Sequence, residues 1–356
     1  MLYEINEKVI ALHSQGKPVI NFNVGDPDQS TSPTIIKTAY KAMIEGKTKY
    51  GSSAGEIKLR KRLAELYNVN AENVVVTPGS KWAIYSILSL LLKDGGNVVL
   101  PSPHWSSYEL IVKNMGAELR LLKGDLESNW GINLEKLENK IDDQTRLIIL
   151  NNPNNPTSKV LDRKNFQDIV ELANERKIPI LSDETYADIS FTKVKSILDY
   201  DGDHILVNSF SKTFAMTGWR IGFAILNPEL VQKMVKLNQI SISNVPLFIQ
   251  EAAIKALDLK DEISNEMREV YRRRADLACH LLSKTKLKFT KPDAPFYLFP
   301  QGDVDSEEFA FDLIDNGVAV VPGTAFGDYK NNFRISLTTP EDSIKIGLKK
   351  IAEAFT

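Results

Sequence analysis

Residues 205–223 read ILVNSFSKTFAMTGWRIGF: a short apolar run, a polar loop with one lysine, Lys212, and the start of a second apolar run. A run too short for a helix and without polar alternation reads as a strand covered on both faces. Lys212 therefore follows a buried strand, among serines, aromatics and a methionine. Burial disfavours an ammonium and lowers its pKa, so such a lysine either escapes to solvent or does chemistry.

Working outward, apolar runs rich in Val, Ile and Leu recur at 74–76, 98–100, 119–122, 147–150, 178–181, 205–207 and 221–226. Between them, DRKNFQDIVELANERK sets Phe166, Ile169, Val170 and Ala173 on one helical face, and NLEKLENKI does so with Leu134, Leu137 and Ile141. Strands alternating with helices predict an α/β fold. The expectation is a large domain over residues 25–240, with a mostly parallel seven-stranded sheet covered by helices. After about residue 240 the pattern turns to long helices, then to FYLF, VAVV and FRISL with a helix between the first two. Residues 1–24 and 241–356 are expected to form a smaller α+β domain that includes a helix near residues 4–15.

The chain has 356 residues, more than one small core would use. Its 44 Lys and Arg nearly balance 46 Asp and Glu, for a net charge of −2, which argues against nucleic-acid and membrane-surface partners. The start, MLYEINEKVIALHSQGK, does not read as a secretory signal, and WAIYSILSLLL is too short to span a bilayer, so a cytoplasmic protein is expected. Cys279 is the only cysteine; His13, His104, His204 and His280 form no i, i+4 pair, so no metal motif is present.

In open parallel sheets ligands sit beyond the carboxyl ends of the strands, and here the loops at those ends carry TPGSK, NNPNNPTS, SDETY and NSFSK. TPGSK, ahead of a helix expected to start near Trp82, offers free backbone N–H groups and a positive dipole end to a phosphate; alone it would read as a plain helix cap. Ser209, Lys212 and Arg220 add donors from another loop. Asp183, after a buried strand, either caps the next helix or meets a buried cation such as a protonated ring nitrogen. Tyr186 and Asn155 suit a phenolic oxygen, although a core tyrosine and turn asparagines are the plainer readings. Phosphate, protonated aromatic nitrogen, phenolic oxygen and an aldehyde for Lys212 together describe pyridoxal 5'-phosphate.

SFSKTFAMTGWRIGF, NNPNNPTS, SDETYA, KTKYGSSAG, VTPGSK, PSPHW and FRISL stand in the order and rough spacing of class I aminotransferases, pyridoxal-phosphate enzymes of the aspartate aminotransferase fold. The resemblance runs from Val24-Gly25-Asp26-Pro27-Asp28 to Arg334. It implies that Lys212 forms the Schiff base, that Asp183 partners the ring nitrogen, and that Asn155 and Tyr186 hold the ring oxygen. Ser209, Arg220 and the backbone of Ser80 and Lys81 would hold the phosphate, and Trp105 would stack on the ring. Tyr50 resembles the tyrosine that reaches the phosphate of the other subunit, which implies a homodimer with shared sites. Arg334 would clamp the substrate α-carboxylate beside Gly25. The implied reaction moves an amino group between an L-amino acid and a 2-oxo acid by a ping-pong route. Lys81 matches a lysine that binds a distal carboxylate, which favours aspartate and glutamate with 2-oxoglutarate; aromatic or alanine specificity, or a carbon–sulfur β-lyase, are the alternatives.

Three departures fall on the substrate side. Ser158 stands where the family usually has glycine, and Ala294-Pro295-Phe296-Tyr297 replaces the common Gly-Ala-Phe-Tyr. Only 24 residues precede Gly25, so the arm that often covers the substrate reads as shortened. Among rival readings, GSSAG at 51–55 fits the serine-hydrolase elbow but lacks the strand before it, and the chain has no G-x-G-x-x-G for a dinucleotide. A regulator built on this fold would need a helix-turn-helix and a basic face.

Overall fold

The computed structural model describes residues 2–355. Its strands are β1 (Ile20–Asn21), β2 (Val74–Thr77), β3 (Asn97–Ser102), β4 (Glu118–Lys123), β5 (Thr145–Asn151), β6 (Ile180–Asp183), β7 (Ile205–Ser209) and β8 (Gly222–Ile225). They continue with β9 (Tyr297–Leu298), β10 (Val318–Ala319), β11 (Val321–Pro322) and β12 (Phe333–Ser336). Each of the seven apolar runs becomes a strand of one seven-stranded sheet, ordered β2-β8-β7-β6-β5-β3-β4. Pairing is parallel from β4 through β3, β5 and β6 to β7, whereas β8 runs antiparallel between β7 and β2.

The absence of polar alternation has a direct cause. Val74, Val76, Ile148, Leu150, Ile180 and Leu206 face one core with the helix Arg163–Glu175, while Val75, Leu147, Ile149, Leu181 and Val207 face another with the helix Ser80–Leu91. Successive residues thus point into two different apolar layers, and each fully buried aliphatic side chain contributes roughly 1.5–3 kcal/mol. Phe166, Ile169, Val170 and Ala173 are buried as their spacing requires, and Asp162 accepts the N–H groups of Lys164 and Asn165 at the start of that helix. The NLEKLENKI helix is shorter than expected: it covers Leu134–Glu138, Leu137 is buried, Leu134 is exposed and Ile141 lies beyond its end.

Two boundaries correct the sequence reading. The run 178–181 becomes Ile180–Asp183, because Pro179 has no N–H to give the ladder. Asp183 is consequently the last residue of its strand, opposite Asn151 and Val207. VAVV is two strands: Val318–Ala319 pairs with β1, and Val321–Pro322 pairs with β12 in a second sheet that also holds β9. A separate core gathers Ile5 and Val9 from the N-terminal helix with Phe22, Ala278, Val318, Phe333 and Ile351. No helix among the described residues is long and apolar enough to cross a membrane.

Candidate active site

β5, β6 and β7 end at Asn151, Asp183 and Ser209, so the polar loops open on the same edge of the sheet, as the strand-end rule predicts. A cavity of about 330 Å³ lies there. Gly25, Ser80, Trp105, Asn155, Asp183, Tyr186, Lys212 and Arg334 all line it, so eight of the twelve predicted residues meet in one place. Lys81 and Arg220 flank it in an adjoining depression, Ser209 is buried behind it, and Tyr50 stands apart.

Lys212 is half-buried rather than enclosed by apolar groups. Its ammonium donates to the Gly25 carbonyl and lies 6.0 Å from the centre of the Phe296 ring. A Cβ at Gly25 would lie 1.8 Å from the Tyr297 hydroxyl oxygen, so any larger residue here would have to displace that ring.

Asp183 is buried and held on three sides. Tyr108 donates its hydroxyl to Oδ2 at 2.7 Å, and Thr185 donates its N–H and hydroxyl to Oδ1 at 3.1 and 2.6 Å. Burial pushes this carboxyl above its ordinary range, against the pull of those hydrogen bonds and of the Lys212 charge. A cation in the cavity would relieve that burial cost. Glu184, next in sequence, points away into the core, where it takes the Ser182 hydroxyl and the Ile197 N–H, and burial pushes it up to about 8.

The TPGSK helix begins at Ser80, two residues before the expected Trp82, and no side chain caps it. Its first N–H groups are therefore available to an anion. Gly79, at φ 87°, makes the turn, and a Cβ there would meet Arg220 Nη2 at 2.7 Å. Arg220 is tied to this turn through the carbonyls of Thr217 (2.7 Å) and Pro78 (3.3 Å). The Ser209 hydroxyl accepts the Ser211 N–H at 3.3 Å. Lys81 extends over the Trp105 ring, 4.7 Å from its centre; desolvation of its ammonium, then the charges of Arg220 and Lys212, lower its pKa.

Arg334 is fully buried, and no carboxylate among the described residues pairs with it. Nη1 donates to Asn155 Oδ1 at 3.0 Å and Nη2 to the Asn23 carbonyl at 2.6 Å, while Nε has no partner. The guanidinium lies between the rings of Tyr297 and Phe326, at 4.5 and 4.9 Å. A buried guanidinium at the cavity wall without a carboxylate partner suits an anion entering the cavity.

Tyr186 and Tyr297 share a hydroxyl contact of 3.2 Å. Burial raises the Tyr186 phenol well above its usual pKa. Sequence reasoning missed Asn23, Tyr108, Asn151, Thr185 and Tyr297 as lining residues. Tyr108 stands one helical turn after Trp105, and that spacing was a usable signal. Tyr50 is 88% exposed, outside the cavity of its own chain.

The donor set fits pyridoxal phosphate: an uncapped helix end with Arg220 for a phosphate, a buried carboxylate for a ring cation, an aromatic face, and a lysine at the cavity wall. A family model described as "Aminotransferase class I and II" matches residues 17–351. The aspartate aminotransferase of Thermococcus kodakarensis is 36% identical over 337 residues, 95% of this chain and 89% of that protein. A (5-formylfuran-3-yl)methyl phosphate transaminase of Methanocaldococcus jannaschii is 34% identical over 355 residues, 96% of this chain and 93% of that protein. The solved aspartate aminotransferase of Thermus thermophilus with maleate superposes with a TM-score of 0.96 at 30% identity, over 99% of this chain and 96% of that one.

Proposed function

The chain belongs to the class I and II aminotransferases, and from that premise we propose that it moves the amino group of aspartate or glutamate to 2-oxoglutarate, with pyridoxal 5'-phosphate held by the residues named above. The enzyme is a transaminase, its substrates are amino acids and 2-oxo acids, and its family generally depends on this cofactor. The observation that carries the reading is the buried, carboxylate-free Arg334 opening on the cavity that Lys212 and Asp183 line.

When bound, the cofactor supplies an aldehyde that takes up the amino group and a ring that withdraws electrons from the substrate carbon. Asp183, fixed by Tyr108 and Thr185, would keep a proton on the ring nitrogen. Asn155 and Tyr186 would hold the ring oxygen, and the Ser80 and Lys81 N–H groups with Ser209 and Arg220 the phosphate. Arg334 and Gly25 would orient the substrate by its α-carboxylate. Arg334 is tied to the Asn23 carbonyl and Lys212 to that of Gly25, so clamp and amine hang two residues apart on one segment. This brings the α-carbon of a clamped substrate to the lysine, which would take its proton as general base and return it as general acid. In a ping-pong cycle the product 2-oxo acid leaves before the second enters.

Lys81, over Trp105 at the cavity mouth, supports a preference for a second carboxylate, and maleate, in the Thermus structure, is a dicarboxylate. The same proposal takes residues 25–240 as the cofactor-binding unit, with 1–24 and 241–356 as the smaller one. It takes the active form as a homodimer in which Tyr50 serves the partner's phosphate. A donor panel with 2-oxoglutarate, read by loss of the cofactor's visible band in a single turnover, tests the specificity. Aspartate and glutamate should lead; parity with alanine and phenylalanine overturns the role of Lys81. Borohydride treatment should add the cofactor's mass to the peptide bearing Lys212, and an unchanged mass overturns the covalent link.

A further inference from the structure

Ser158 occupies an unusual position. It is buried, and its φ is 52°, in the left-handed region that favours glycine. Ala294-Pro295 is its direct neighbour in space. Ser158 Oγ donates to the Pro295 carbonyl at 3.0 Å and accepts the Tyr297 N–H at 3.0 Å. Its own carbonyl accepts the Asp293 N–H at 2.9 Å. Around this knot Lys159 pairs with Asp293 at 2.7 Å, and Asp293 Oδ2 takes the Val160 N–H at 3.3 Å.

The segment that Ser158 grips leads into the carboxylate clamp. Residues 294–296 precede β9, Pro295 has no N–H, and Phe296, left-handed at φ 89°, offers its carbonyl to the Leu337 N–H at 2.7 Å. Tyr297 lies opposite Ser336 in the β9–β12 ladder, so Arg334, two residues along, shares its face of the sheet. Its ring lies 4.5 Å from the guanidinium, and its hydroxyl contacts Tyr186 and the Gly25 backbone. A shift of the 295–297 backbone would thus move one wall of the clamp while leaving the helix at Ser80 and the Asp183 contacts in place.

We propose that Ser158 is a positioning residue: through its hydroxyl it fixes the start of β9, and with it Tyr297, so that Arg334 presents its guanidinium to the substrate carboxylate. It touches neither substrate nor cofactor. The inference rests on the aminotransferase reading of the site, and the Ser158 oxygen at this left-handed position fills a donor and an acceptor role that glycine would leave open.

The test compares Ser158→Gly and Ser158→Ala holoenzymes with wild type, each normalised to bound cofactor by absorbance. Both variants lose the hydroxyl; Gly also relieves the backbone, whereas Ala keeps the strain. Expected for both is unchanged cofactor content, kcat within about twofold, and KM for the best amino donor raised on the order of tenfold or more. An unchanged KM in Ser158→Gly overturns the proposal, as does an effect confined to Ser158→Ala, which would assign it to backbone strain. Equal loss of kcat and kcat/KM in both variants also overturns it. Wild-type holoenzyme without transamination would overturn the underlying reading instead, and is distinguished by its occurrence in the unaltered protein.

Discussion

Lys212, Asp183, Asn155 and Tyr186 were singled out by residue type in strand-end loops, each beside a plainer structural reading, whereas Arg334, inside β12, entered through the family resemblance; the structure brings all five to one cavity. Lys212→Ala should keep the cofactor, held through its phosphate and ring, while turnover falls by several orders of magnitude; wild-type-like rates with bound cofactor would contradict the assignment. Arg334→Lys replaces a planar fork with a point charge and should weaken carboxylate binding by roughly 1.5–3 kcal/mol, at least about tenfold in KM, with kcat less affected. Glu184 gives a pH test apart from turnover. Its carboxyl, near 4.5 when unperturbed, is pushed up to about 8 by burial, so between these values the folded chain keeps a proton that the unfolded chain has lost. Stability contributed by this group therefore declines as pH rises through that interval. Glu184→Gln should flatten the decline in urea midpoints measured between about pH 5 and about pH 8, and an identical slope would refute the assignment. Tyr108, Tyr297 and Ser158 were harder to read as site residues, because their importance lies in whom they touch across the chain.

At the scale of elements, strands buried on both faces announced themselves, since neighbouring residues feed two different cores. The two-residue strands β1, β9, β10 and β11 are too short to carry a period, and their pairing depends on partners far away in sequence. The helix at Ser80 starts, without a side-chain cap, at a turn that the sequence marks with Gly79. Gly79→Ala adds a Cβ against Arg220 and imposes a left-handed residue, a cost of roughly 1–2 kcal/mol before the clash. Its expected result is a weaker hold on pyridoxal phosphate in equilibrium dialysis. Asp162→Ala serves as the contrast: it removes the cap of the Arg163–Glu175 helix, should lower stability by about 1 kcal/mol in urea, and should leave cofactor affinity alone.

For the molecule as a whole, the exposed surface is informative. Tyr40, Ile44, Tyr50 and Ile240 are 63, 72, 88 and 84% exposed, a high solvent exposure for large side chains and one that a second copy would reduce. Sedimentation should give a dimer, and Tyr50→Phe should weaken cofactor binding without dissociating it; a monomer with full activity would contradict shared sites. The sheet's composition was readable at this scale, whereas its strand order, with β8 reversed between β2 and β7, rests on pairing that one sequence does not display.

The hydrogen bond from Arg334 to the Asn23 carbonyl spans 311 positions of the chain. During synthesis from the amino end, Ser80, Trp105, Asn155, Asp183, Tyr186 and Lys212, which line the same cavity, all emerge before this arginine does. A nascent chain that has not yet exposed Arg334 would therefore have no guanidinium to offer a carboxylate. The clamp would in that sense be among the last parts of the cavity to be finished, when the β12 arginine reaches the Asn23 carbonyl beyond β1.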